Sequence, residues 1–180
     1  AYRPVAEKEV AEIEQLAREK EGSDFVIQPW DFSHYGYLLK MQRYNIDSEM
    51  LRPYLRLDRV QEGVFSLATR LYGITFERAM DIPVYHPDVV AYRVMDADGS
   101  FLAVLYADFH PRANKQSGAW MTTYREQWVE DKTGENVRPI VSIVMNFTKP
   151  TKERPALLTL GEVETFLHEF GHALHAIFSQ

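Results

Sequence analysis

The chain has 180 residues, 46% of them hydrophobic and 26% charged, with a formal net charge of −6 and no cysteine. The apolar share is enough for a core, and the negative balance argues against nucleic-acid binding, which needs Lys and Arg to neutralise phosphates. Without Cys there are no disulfides, no thiolate-held zinc and no thiol nucleophile, so a transition metal must be held by His, Asp or Glu.

Residues 4–21 read as a helix, with Pro4 in its first turn, an apolar stripe of Ile13, Leu16 and Ala17, and Gly22 closing it. Its charged remainder reads as a solvated face and not as a signal peptide. After a connector at 25–30, Asp31 or Ser33 caps a second helix that reaches about Asn45 through Tyr37, Leu38 and Met41. Residues 47–51 form a short helical turn before Pro53. Residues 58–72 follow as a strong helix, with Val60, Val64, Leu67, Ala68 and Leu71 at helical spacing and Gly73 at its end.

The pattern then changes to strands at 74–80 and 89–95, a hairpin turn at Asp98-Gly99 into 101–106, and further strands at 120–124 and 140–146. A polar, proline-bearing connection at 148–155 leads to a last helix starting near Leu160. The fold class is therefore α+β and mainly helical. A helical part (1–73) precedes a small, mostly antiparallel sheet (74–147) and one long helix (159–180). No segment approaches the roughly 20 apolar residues of a membrane span, and no membrane partner is expected. The expected location is cytoplasmic, a periplasmic one being compatible. Ala1 is not Met and residues 173–180 run on in helical pattern, so the chain reads as an internal piece of a longer catalytic domain.

The chemistry sits in His168-Glu169-Phe170-Gly171-His172. Histidines at i and i+4 share one face of a helix and can point at one metal ion, and the Glu beside the first can act as general base toward a water on that ion. Thr159 and Glu162 form a T-x-x-E capping box, and Leu160, Val163, Leu167, Gly171 and Leu174 supply an apolar stripe, so the motif falls inside a helix. Gly171 costs about 1 kcal/mol there relative to Ala, which close packing of a neighbouring element would explain. With six histidines, a chance H-E-x-x-H in such a chain is expected on the order of once in a hundred. His175 either touches the same metal face or is an ordinary helix histidine, the second reading being favoured. A metzincin is excluded, since its Gly and last His positions hold His175 and Phe178. The remaining pattern is a His₂Glu zinc site whose acidic ligand is not among the eight residues after His172, so zinc binding by this chain alone is expected to be weak.

The run from Glu162 to His175 resembles the active-site helix of the thimet oligopeptidase, oligopeptidase A and peptidyl-dipeptidase family of zinc peptidases. Pro29-Trp30-Asp31, Tyr85-His86-Pro87-Asp88-Val89 and residues 106–120 are similar to other segments of that family, and Ser117-Gly118-Ala119-Trp120-Met121 leans toward the peptidyl-dipeptidase branch. The resemblance implies a mostly helical, zincin-like peptidase with a deep channel that hydrolyses short peptides, with release of C-terminal dipeptides. It implies zinc held by His168 and His172, Glu169 as general base, and a third Glu ligand and carbonyl-polarising Tyr and His residues on later elements. The chain alone is then expected to be inactive. In broader zincin relatives substrate lies antiparallel on an edge strand, and Gly118 and Ala119 resemble that strand; the other reading of Gly118 is a bulge or turn. A non-catalytic peptide-binding module and another His₂Glu peptidase family are the alternatives.

Other residues carry weaker signals. His86, before Pro87, is expected to make structural hydrogen bonds. His110, Arg112 and Lys115 either bind a peptide carboxylate or form a solvated loop, the second being favoured. Trp30, Trp120 and Trp128 are expected in the core. Asn146-Phe147-Thr148 fits a glycosylation sequon, to which no role is given.

Overall fold

The computed structural model describes residues 2–45 and 48–179, which form two compact units, 1–50 and 51–180. In the first, α1 (Arg3–Glu21) packs on α2 (Phe32–Tyr44). Pro4 lies in the first turn of α1, where its missing N–H has no partner to lose. Leu16 and Ala17 are buried. Arg43 pairs with Glu12 at 2.8 Å, and the Tyr35 hydroxyl donates to Glu21 at 3.0 Å. Asp31 stands at the N-cap of α2, but its carboxylate accepts from the Gln28 N–H at 3.0 Å and shapes the preceding turn instead of capping the helix. Asn45, in the left-handed region at φ 48°, ends α2. Trp30 is 77% exposed, against the expectation of a core residue. Of the short helix at 47–51, Asp47 lies outside the described residues, and α3 spans Ser48–Leu51.

The second unit holds α4 (Leu57–Tyr72), a five-stranded sheet and α5 (Leu160–Ile177). Val64 and Ala68 of the predicted α4 stripe are buried with Leu57, whereas Leu67 and Leu71 face outward. Gly73 ends α4 at φ 78°, and a Cβ there would meet the Ala97 Cβ at 2.9 Å, so both the turn and the close approach require glycine. The strands are β1 (Thr75–Arg78), β2 (Val90–Met95), β3 (Phe101–Asp108), β4 (Trp120–Arg125) and β7 (Ile140–Val144), in the order β1-β2-β3-β7-β4. All pairs are antiparallel except β3 with β7. A two-stranded ribbon of β5 (Trp128–Val129) and β6 (Asn136–Val137) was not predicted; each strand is two residues long, too short for an alternation to detect. It carries Trp128 outward, a second correction to the expected core. Trp120 is half-buried.

One face of the sheet, with Ala103, Leu105 and Ala107 from β3 and Val141 and Ile143 from β7, forms the core with α4 and α5. Alternation at period two puts these residues on one side. Phe65 of α4 stacks on Phe76 of β1 at 4.1 Å, and Phe170 of α5 meets both rings at 5.7 and 5.8 Å. The end of α5 is held by Arg138, whose Nη2 donates to the Ile177 carbonyl at 2.8 Å, Nη1 to Ser179 at 3.2 Å and Nε to Leu102 at 2.8 Å. A guanidinium there satisfies carbonyls that a helix terminus leaves unpaired and complements its dipole. Arg138→Met should therefore destabilise the unit by about 2 kcal/mol in urea denaturation; a loss under about 0.5 kcal/mol would mean that solvent replaces these bonds.

Candidate active site

The expected capping box starts α5: the Thr159 hydroxyl accepts from the Glu162 N–H at 3.2 Å, and the Glu162 carboxylate accepts from the Thr159 N–H at 2.7 Å. The rotation of the helix differs from the predicted stripe. Phe166, Phe170, Ala173 and Ile177 face the sheet, and Val163 and Leu174 lie at the margin of the core. Leu160 and Leu167 are exposed. At about 100° per residue, the predicted stripe is centred about a quarter turn from the buried one. Two apolar stripes compete along α5, and the one with two phenylalanines removes more apolar area from water. Nothing approaches Gly171, so close packing does not explain it among the described residues.

This rotation turns His168 and His172 outward and leaves Glu169 between them and the core. The two Nε2 atoms are 3.1 Å apart, with ring planes at 85°. Glu169 is only 9% exposed and has no hydrogen-bond or charged partner among the described residues. The donor set fits zinc: two ligands at tetrahedral angles and about 2.0–2.1 Å from one ion lie about 3.3 Å apart. Among the described residues no group of three or more His, Asp or Glu is placed to share an ion. His175 is exposed on the same outward face, and its carbonyl accepts from the Ser179 hydroxyl at 3.4 Å.

α5 packs against β4, β7 and β3. β4 is the edge of the sheet beside β7, and no strand pairs with its outer side among the described residues. Gly118 is exposed with φ 97°, a turn conformation, and Ala119 leads into β4 half-buried against the core. Asn146 gives both Nδ2 hydrogens away, to the Gln116 and Gly118 carbonyls at 2.8 Å each, which leaves the sequon nitrogen engaged. His86 has the expected structural role, its Nδ1 accepting from the Asp88 N–H at 3.2 Å.

The loop after β3 is mostly exposed, but Arg112 and Lys115 are not solvated charges. Asp108 is buried at the end of β3, and its carboxylate accepts from Arg112 Nη1 and Lys115 Nζ at 2.9 Å each and from the Tyr85 hydroxyl at 3.0 Å. Burial pushes this carboxyl up, but the hydrogen bonds from Arg112 and Lys115 outweigh it and hold the pKa below the ordinary Asp value. Burial, then the charge of Asp108, pushes the Tyr85 phenol up, so it remains a donor. Arg112 and Lys115 therefore serve Asp108, while His110 Nδ1 lies 3.1 Å from the Phe147 carbonyl. The signal in the sequence was a lone Asp ending an apolar strand, with cations four and seven residues later.

Two imidazoles converging beside a buried carboxylate on one helix are the arrangement that the H-E-x-x-H metallopeptidase motif requires. The sequence model of Peptidase family M3 matches residues 1–180, and the chain belongs to that family. It is 42% identical over 172 residues to a dipeptidyl carboxypeptidase of Salmonella typhimurium, covering 95% of this chain and 25% of the relative. It is 40% identical over 181 residues to a dipeptidyl carboxypeptidase of Escherichia coli, covering 100% of this chain and 26% of the relative. Oligopeptidase A of Escherichia coli is 36% identical over 178 residues, 99% of this chain and 26% of the relative. The chain thus spans about a quarter of the length of these relatives, and the similarity leans toward the dipeptidyl carboxypeptidases. No helix of the described residues is long and apolar enough to cross a membrane.

Proposed function

We propose that these residues are the zinc-binding, proton-transferring part of a zincin-like metallopeptidase that hydrolyses short peptides, releasing C-terminal dipeptides. The observation that carries the reading is the 3.1 Å convergence of the His168 and His172 Nε2 atoms beside the buried Glu169. His168 and His172 would hold zinc through these nitrogens. Zinc, when bound, supplies Lewis acidity and brings the pKa of a ligated water near neutrality. The Glu169 carboxylate accepts a proton from the attacking water and returns it to the leaving amine nitrogen. The free edge of β4, entered through Gly118 and Ala119, would take the peptide backbone as an antiparallel strand.

The dipeptidyl carboxypeptidase names of two relatives support dipeptide release. The missing third donor among the described residues supports a further carboxylate ligand elsewhere in the protein. It also favours a second statement, that residues 1–180 alone bind peptide or zinc weakly and do not turn over. Metal analysis and cleavage of a quenched peptide, on this chain and on the full-length protein, test both. Stoichiometric zinc and turnover are expected only for the full-length protein. Cleavage by the 180 residues with one bound zinc would overturn the two-ligand argument.

A further inference from the structure

Resting on that reading, we propose that Asn146 and the buried Lys115–Asp108 pair clamp the loop between β3 and β4, and so position the edge of β4 that receives the peptide. Both Asn146 and Lys115 act through the backbone they hold, so they are positioning residues.

The loop, residues 109–119, is mostly exposed and has no regular secondary structure. A segment with so few buried contacts opens easily unless side chains anchor it. Here it is anchored twice. Lys115, with its side chain 2% exposed, donates from Nζ to the Asp108 carbonyl at 3.0 Å, the Asp108 carboxylate at 2.9 Å and the His110 carbonyl at 2.9 Å. All three ammonium hydrogens have acceptors, all at the start of the loop. Near its exit, Asn146 donates to Gln116 and Gly118 at 2.8 Å each.

The placement of Asn146 gives this second anchor its meaning. Trp120, the first residue of β4, pairs with Val144, the last residue of β7. Asn146 lies two residues beyond Val144, and Gly118 two residues before Trp120. The side chain therefore continues the β7–β4 ladder by one step, after the backbone pairing has ended. Gly118, at φ 97°, makes the turn that this step needs. Its carbonyl is engaged by Asn146, on the β7 side. Pairing with a substrate backbone then falls to the free outer edge from Ala119 onward, and Gly118 is the turn that delivers it.

The test uses the full-length enzyme with a quenched peptide substrate. Asn146→Asp is isosteric, loses both donors and sets a carboxylate against two carbonyls. It should raise KM about tenfold with kcat within about twofold and zinc content unchanged. A scan of N-methylated peptides separates positioning from simple stability. In the parent enzyme, methylation at an N–H facing β4 should weaken binding about tenfold; in N146D that penalty should fall below about threefold. An unchanged KM, or an unaltered methylation penalty, would overturn the clamp. If N146D does not fold, Lys115→Met, which leaves Arg112 on Asp108, is measured in the same way and against the same criteria. Loss of the clamp effect in an enzyme that still depends on Glu169 would leave the peptidase reading standing, whereas turnover independent of Glu169 would remove both.

Discussion

Glu169→Gln in the full-length enzyme should lower kcat/KM by about two to four orders of magnitude while the zinc content stays at that of the parent. The substitution keeps the size of the side chain and its two polar atoms but removes the negative charge, so the group can no longer accept a proton. The imidazoles that would hold the ion are untouched, and they converge through Nε2 atoms that do not bond to residue 169. Glu169 is buried beside Phe166 and Phe170, where another carboxylate cannot easily replace it. No second Asp or Glu of the described residues joins the histidine pair. The measurement is steady-state cleavage of a quenched peptide, paired with metal analysis of the same sample. Retained turnover at full zinc loading would remove Glu169 from the mechanism. Loss of zinc together with turnover would assign it instead to holding the site.

The helix that carries this chemistry was legible in the sequence because two independent local signals agreed. A capping box fixed its start, and a histidine pair at i and i+4 marked one face; both depend only on near neighbours along the chain. Strand positions were legible for the same reason, through Asp98-Gly99 and short β-branched runs. What failed needed knowledge of distant partners. Leu160 and Leu167 have the spacing of a buried stripe, but the choice between stripes depends on what Phe166 and Phe170 meet across the sheet. The parallel pairing of β3 with β7 arises from a long connection through β4 and the ribbon, which no local pattern reports. Arg112 and Lys115 looked like solvated loop charges because their partner is a buried carboxylate at a strand end. Trp30 and Trp128 are large and apolar, but exposure in a folded chain is not ruled out by residue type alone.

Phe166→Ala is the substitution expected to cost the fold most, about 3–5 kcal/mol by urea denaturation of the 180-residue chain. The ring is fully buried and lies 5.1 Å from Phe109, 6.4 Å from Phe147 and 6.4 Å from Phe170. Phe109 and Phe147 lie just beyond the ends of β3 and β7, so the void would open where α5 meets the two parallel strands. Backbone bonds already fix those strand ends, with the Met145 N–H donating to Asp108 and the Phe147 N–H to Phe109, both at 2.8 Å, which limits collapse into the cavity. Leu167→Ala removes a neighbour that is 41% exposed, and should cost under about 1 kcal/mol in the same chain. The contrast separates the two apolar stripes of α5. Equal losses for the two variants would mean that the helix is rotated toward the Leu160–Leu167 side, and His168, Glu169 and His172 would then face other directions. A large loss at 166 with a small one at 167 fixes the rotation that leaves both imidazoles outward and Glu169 mostly buried. The proton-transfer role proposed for Glu169 therefore depends on the helix rotation that Phe166 and Phe170 set by their burial.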